Sequence, residues 1–259
     1  MKFIKTFVEF IAEKRSFSFD FDDTLAVTED TIGILMLLDG RGQESILEYL
    51  ENAKVDKKHI AKIEQSEKYG GKIAYLYSAG FREFYDYALQ NKEILHFDGN
   101  KNLRSSGIEF IVDFSDAANI ENPKPIKKTL DLMRKEEEKG NDINVVTGRK
   151  LEKPIENVDG EKVMPTNKQD IIEFLRSQGI EISPSDIHSA ADINSNNVPK
   201  AKAEIIADKI AKPEIDKIEF FDDDFKNIQA VKKLKKVGNT KINVYHADFS
   251  KGKMPSVKE

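Results

Sequence analysis

The sequence predicts a doubly wound α/β fold: a mostly parallel sheet interrupted by one long, mainly helical insertion. Three observations carry this. β-Branched or aromatic runs alternate with amphipathic helical patterns through most of the second half of the chain. Acids, hydroxyls or Thr-Gly turns follow directly after several of those runs, where the carboxyl ends of parallel strands gather. Residues 30–108, between the first run and the rest, show no strong strand pattern of their own.

Residues 1–14 place Phe3, Ile4, Phe7, Phe10 and Ile11 at helical spacing with charges between them, an amphipathic segment. A strand follows over 16–21. The next apolar run with strand character is Ile108–Phe114. Pro123 and Pro125 stand where a helix opens, Ile126, Leu130 and Met133 form its apolar stripe, and Gly140 ends it. Ile143–Thr147 is a β-branched run closed by Gly148. A helix over 168–178 stops at Gly179, a strand lies near 186–191, and a helix covers 199–211. A strand at 217–221, a helix at 225–236 and a strand over Ile242–His246 complete the alternation, and residues 251–259 form a polar, frayed tail. The expected division is a core of 15–29 and 109–250 around an insertion of 30–108.

Composition narrows the function classes. With 39% hydrophobic and 34% charged residues over 259 positions, the chain can bury a core under a polar, soluble surface. A net charge of −5 argues against a nucleic-acid binder that relies on overall charge, although a local basic groove is compatible with it. The absence of cysteine excludes disulfides, thiolate catalysis and cysteine zinc sites, and suits a cytoplasmic location. His59, His96, His188 and His246 form no metal-spaced pair. No apolar run approaches the ~18 residues of a membrane span, so no membrane partner is expected.

The chemistry gathers in four segments. Phe17-Ser-Phe-Asp-Phe-Asp-Asp-Thr-Leu25 ends a strand with Asp20 and Asp22 two apart, hence pointing the same way, and Thr24 two further on. Like charges at that spacing call for a cation or an anionic reaction partner that needs one. Thr147-Gly148-Arg149 ends another strand, Lys200 and Lys202 open a helix, and Asp222-Asp223 follow Phe220-Phe221. Several carboxylates, a hydroxyl, a lysine and an arginine in one pocket suit phosphoryl transfer to a carboxylate with a hard divalent cation. Arg149 has two readings, contact with substrate or pairing with a core acid. Tyr75, Tyr77, Phe81, Phe84, Tyr85 and Tyr87 also have two, packing within the insertion or base stacking.

In order and content these segments resemble the four motifs of the haloacid dehalogenase-like superfamily, over about residues 15–27 and 110–248. The resemblance implies a Rossmann-like core with a cap made from the insertion, and a Mg²⁺-dependent phosphatase. It implies Asp20 as nucleophile forming an aspartyl-phosphate, and Asp22 as general acid and then base. Members that cleave carbon–halogen bonds resemble the pattern without a second acid, so phosphatase chemistry is implied. The metal set would be Asp20, the Asp22 carbonyl, Asp222 and, through water, Asp223. Thr24, Thr147, Gly148 and Arg149 would bind phosphate or substrate. Lys202 would neutralise charge beside the nucleophile, with Lys200 as its competitor.

A nucleotide or other small phosphomonoester is the expected substrate. The motif spacing is also similar to the phosphatase half of phage polynucleotide kinases, so a nucleic-acid end is the alternative. A catalytically idle virion or binding protein is the reading from a different class. Lys5–Glu13 resembles the capsid-targeting peptides of tailed phages, which implies packaging in a virion or residence in host cytoplasm; the competing reading is an amphipathic helix docked on the core. Val112-Asp-Phe-Ser-Asp116 before Asn122-Pro-Lys-Pro125 is likewise similar to phage and bacterial members of the superfamily.

Overall fold

The computed structural model describes residues 14–37, 45–66, 71–97, 108–157, 161–236 and 240–247. The amphipathic segment and the polar tail named above lie outside them, apart from Lys14. The chain divides into two compact units. The first gathers the chain up to Thr28, Pro123–Leu151 and the chain from Lys168; the second gathers Glu29–Asn122 and Glu152–Asn167.

Five parallel strands build the first unit: β1 Arg15–Phe19, β2 Asp142–Thr147, β3 Ile187–Ser189, β4 Lys217–Asp222 and β5 Lys241–His246. Their order across the sheet is β3-β2-β1-β4-β5. The chain thus runs outward from β1 to one edge, returns, and runs outward to the other. That reversal puts the topological switch point between β1 and β4, where a crevice opens beyond the strands' carboxyl ends.

The connecting helices are α1 Lys127–Glu138, α2 Asn167–Ser177, the short α3 Ala190–Asn194, α4 Val198–Ile210 and α5 Phe225–Lys232. Gly140 and Gly179 stand just past α1 and α2 with φ of 76° and 75°, a left-handed stop that side chains with a Cβ resist. Ala201 and Ile205 of α4 and Ile228 and Val231 of α5 pack with Val146, Ile218 and Phe220 of the sheet. Full burial of a side chain such as Phe220 contributes about 2–3 kcal/mol. Side chains alternate along β1, so Phe17 and Phe19 share one face, where Phe19, Phe221 and Tyr245 stack in a row.

Ser16, Ser18 and Asp20 line the opposite face of β1, and all three are buried. Ser16 Oγ donates to Asp142 Oδ2 at 2.7 Å, while Asn144 Nδ2 donates to the same carboxylate at 2.9 Å. Lys209 of α4 donates to Asn144 Oδ1. Beside this network sits His188, whose Nε2 is enclosed without a hydrogen-bond partner among the described residues. Burial first, then Lys209 and Lys212, pull its pKa down to about 4, with Asp142 opposing. The unfolded chain therefore takes up a proton near pH 6.5 that the folded chain refuses until about pH 4. Stability should fall as pH drops through that window, by about 2 kcal/mol after allowing for screening of a half-buried ring. Urea midpoints from pH 7 to 4 should show this slope in the native chain and a shallower one in His188→Gln; parallel slopes would refute it.

The second unit differs from the expected helical insertion. Its centre is a five-stranded sheet in the spatial order 60–65, 72–77, 31–37, 109–113, 94–97. Thr31–Leu37 pairs antiparallel with Lys72–Tyr77 on one side and with Glu109–Asp113 on the other. The helices Ile46–Asn52 and Ser78–Gln90 supply Tyr49, Leu50, Phe84 and Ala88 to a core shared with Ile34, Leu76 and Phe110. Two corrections follow. The insertion is α/β rather than mainly helical, and 109–113 belongs to its sheet instead of the core. Thr31-Ile-Gly-Ile-Leu-Met-Leu37 is a continuous apolar run, which periodicity alone cannot assign to helix or strand; pairing with distant segments decides it. The aromatic cluster is largely packing: Phe84 meets Phe110 edge-on at 5.0 Å and Tyr49 lies 4.7 Å from Phe110.

Candidate active site

Asp20 follows the last residue of β1. Its N–H donates to Phe221 O at 2.8 Å, continuing the ladder to β4, and Phe21 N donates to its Oδ1 at 2.8 Å. The chain then folds sharply back: Leu25 N and Ala26 N both donate to Phe21 O, and Asp23 adopts φ 53°, a conformation aspartate tolerates. Thr24 is fully enclosed by this turn, and its hydroxyl has no hydrogen-bond partner among the described residues.

Lys202, in the second turn of α4, is 1% exposed. Its Nζ lies 2.8 Å from Asp20 Oδ1 and 2.8 Å from Asp222 Oδ2, bridging the ends of β1 and β4. Burial by itself would lower the lysine pKa, but the two carboxylates outweigh it and hold the ammonium charged well above its ordinary range. Lys200 lies on the surface, 3.7 Å from Glu204, and does not reach the site. Of the two competing lysines, Lys202 is the one that meets these carboxylates.

Asp222 is fully buried. It accepts from Asp224 N at 2.9 Å and from Asn227 Nδ2 at 2.9 and 3.1 Å. The motifs gave no expectation for Asn227, although an amide five residues after a strand-end aspartate, one turn into α5, is a readable signal. Asp223 is half-buried, and its carbonyl accepts from His246 Nε2 at 2.8 Å. Carboxylate oxygens of Asp20, Asp222 and Asp223 all lie within 4.8 Å of one another.

Three carboxylates around one ammonium leave an excess of negative charge. Burial raises the Asp20 pKa well above 3.8; Lys202 opposes that, while Asp222, Asp223 and Asp22 raise it further. An all-oxygen donor set with surplus negative charge fits a hard divalent cation, and Mg²⁺ typically takes few ligands from protein. Among the described residues, Asp20, Asp222 and Asp223 are the ones grouped to hold it.

The Asp22 carboxylate is held by donors of its own. Arg149 Nε donates to Oδ1 at 3.1 Å and Oδ2 at 2.9 Å, Nη2 donates to Oδ1 at 2.7 Å, and Thr28 Oγ1 donates to Oδ1 at 3.0 Å. Of the two readings of Arg149, the acid pair is the one the geometry contains. The arginine backbone is pinned as well: its N–H donates to Thr147 Oγ1 at 3.1 Å, and its carbonyl accepts from Ser189 Oγ at 2.7 Å. Gly148 has room for a side chain, with Val198 Cγ1 3.5 Å from an added Cβ, so no steric demand explains it. Thr28, Ser189 and Asn227 are the polar partners that sequence reasoning missed.

The class so defined is a mixed α/β protein with a central parallel sheet and a buried, lysine-bridged carboxylate site at its switch point. No family model matches the chain, and no curated protein does. Among solved structures, a p-nitrophenyl phosphatase from Archaeoglobus fulgidus is similar at 16% identity and a TM-score of 0.19. The similarity covers 59% of this chain and spans 39% of that one. Among the described residues no helix is long and apolar enough to cross a membrane.

Proposed function

We propose that this chain is a divalent-metal-dependent phosphomonoester hydrolase of the haloacid dehalogenase-like type, acting through an aspartyl-phosphate on Asp20. The observation that carries the reading is Lys202 bridging buried Asp20 and Asp222, with Asp223 beside them, at the switch point of a 3-2-1-4-5 parallel sheet.

Asp20 attacks phosphorus in line as the ester P–O bond breaks, and Asp22 gives its proton to the departing oxygen. Asp22 then takes a proton from water, whose oxygen attacks phosphorus while the Asp20–phosphorus bond breaks, releasing inorganic phosphate and restoring Asp20. Lys202 opposes the rise that burial and the neighbouring carboxylates impose on the nucleophile's pKa, and offsets the charge of the incoming phosphate. Asp20, Asp222, the Asp22 carbonyl and, through water, Asp223 would hold Mg²⁺, which supplies Lewis-acid stabilisation of the transferring phosphoryl group. Thr147 and the adjoining backbone N–H groups are the proposed phosphate contacts, with Thr24 shaping the turn beside them.

The substrate reading is a nucleotide or other small phosphomonoester. Phosphate release should be measured with and without Mg²⁺ on nucleotides, sugar phosphates and 3′- and 5′-phosphorylated oligonucleotides, using Asp20→Asn as the blank. Metal-dependent release absent from the blank is expected, ranked toward the small esters. A ranking led by oligonucleotides would move the substrate to a nucleic-acid end. A folded chain with no release on any of them would overturn the hydrolase reading.

A further inference from the structure

We infer that Arg149 and Thr28 are positioning residues that divide the work of the Asp22 carboxylate, Oδ1 serving as anchor and Oδ2 as the oxygen that exchanges the proton. This rests on the hydrolase reading and assigns two residues to it. Oδ1 accepts from three donors: Arg149 Nη2 at 2.7 Å, Thr28 Oγ1 at 3.0 Å and Arg149 Nε at 3.1 Å. Among the described residues, Oδ2 accepts from Arg149 Nε alone, at 2.9 Å. A carboxylate oxygen has about two lone-pair directions, so Oδ1 is saturated and Oδ2 keeps one open.

The clamp is closed on itself, because Arg149 Nη2 also donates to Thr28 Oγ1 at 3.1 Å. Its members come from the ends of β1 and β2, 127 residues apart, and the Arg149 side chain is only 8% exposed against 28% for Asp22. The guanidinium is therefore walled in while the carboxylate it grips still meets solvent. A planar fork held at its backbone by Thr147 and Ser189 fixes both the position and the plane of its partner. The acid's open oxygen is thus presented in one orientation, and proton transfer to the leaving oxygen occurs from Oδ2 as the P–O bond breaks.

Leaving groups test this directly. An alkyl phosphate needs its departing oxygen protonated, whereas p-nitrophenolate leaves without a proton. A positioned general acid contributes about 10²–10⁴-fold, so the single-turnover rate of ester P–O cleavage, which precedes the hydrolysis step common to both esters, should fall in Arg149→Ala at least about tenfold more on glycerol phosphate than on p-nitrophenyl phosphate. The KM values should stay similar, and added guanidinium ion should partly restore the alkyl rate. Thr28→Val, which keeps shape and removes one donor to Oδ1, should shift the same ratio in the same direction by a smaller factor. Equal losses on both esters, or a loss confined to KM, would overturn the inference and make Arg149 a phosphate contact. Metal-dependent turnover of p-nitrophenyl phosphate by the native chain, absent in Asp20→Asn, tests the hydrolase reading separately. Thr28→Val keeps the inference falsifiable should Arg149→Ala fail to fold.

Discussion

Asp20→Asn should abolish phosphate release, by about 10⁴-fold or more as expected for removal of a covalent nucleophile, while leaving the protein folded and at least as stable without metal. The second half of that expectation follows from electrostatics. Burial raises the Asp20 pKa, Lys202 opposes it, and three neighbouring carboxylates raise it further, so its charge is held at a cost in the metal-free fold. A carboxyl with a raised folded pKa contributes stability below its unfolded value near 3.8 and loses it as pH rises. A neutral amide of the same shape should remove that loss, and Lys202 retains Asp222 as its partner. Thermal melts with and without Mg²⁺ at neutral pH make the measurement. The native chain should gain stability on adding metal and Asp20→Asn should gain much less. A large drop in the metal-free midpoint of Asp20→Asn would show that the Lys202 pair, not the carboxylate crowding, dominates.

Lys202→Ala should damage both stability and activity. Its Nζ is 2.8 Å from each of two buried carboxylates, so its removal leaves two uncompensated charges where water cannot reach. Breaking a buried ion pair from one side costs about 3–5 kcal/mol, and loss of a preorganised cation beside developing phosphoryl charge costs about 10²–10³ in kcat. Divalent metal should recover part of the stability by supplying positive charge to the same carboxylates. Lys200→Ala, on an exposed side chain beside Glu204, should stay within about 0.5 kcal/mol of the native chain and keep full activity. Urea denaturation and phosphate release on both variants check this, and the reverse ranking would remove Lys202 from its proposed role.

The two lysines show where legibility ended. They stand two apart in α4, about 200° around the helix, so only one can face the carboxylates. The run Lys202-Ala-Glu-Ile-Ile206 favours Lys202 without excluding Lys200; the packing of Ala201, Ile205 and Ile206 against the sheet turns Lys202 to the carboxylates. Arg149 is a similar case, since its choice of Asp22 is a contact across 127 residues. Thr28, Ser189 and Asn227 carry common side chains whose meaning exists only once their partners are in place.

The order of the core elements, and the carboxylates, Thr-Gly turn and lysine segment at its strand ends, were determined by the sequence by itself. Strand-end motifs obey local rules: side chains alternate along a strand, and the chemistry recurs wherever a run of apolar residues stops. The sheet order, the α/β character of the insertion, the single lysine in the site and the clamp on Asp22 were decided only by the tertiary structure. Each is a pairing of distant segments, in which burial and hydrogen-bond satisfaction choose among alternatives that the local sequence leaves open. Thr31–Leu37 is the clearest instance: seven residues become the middle strand of a sheet because Lys72–Tyr77 and Glu109–Asp113 satisfy their backbone on either side.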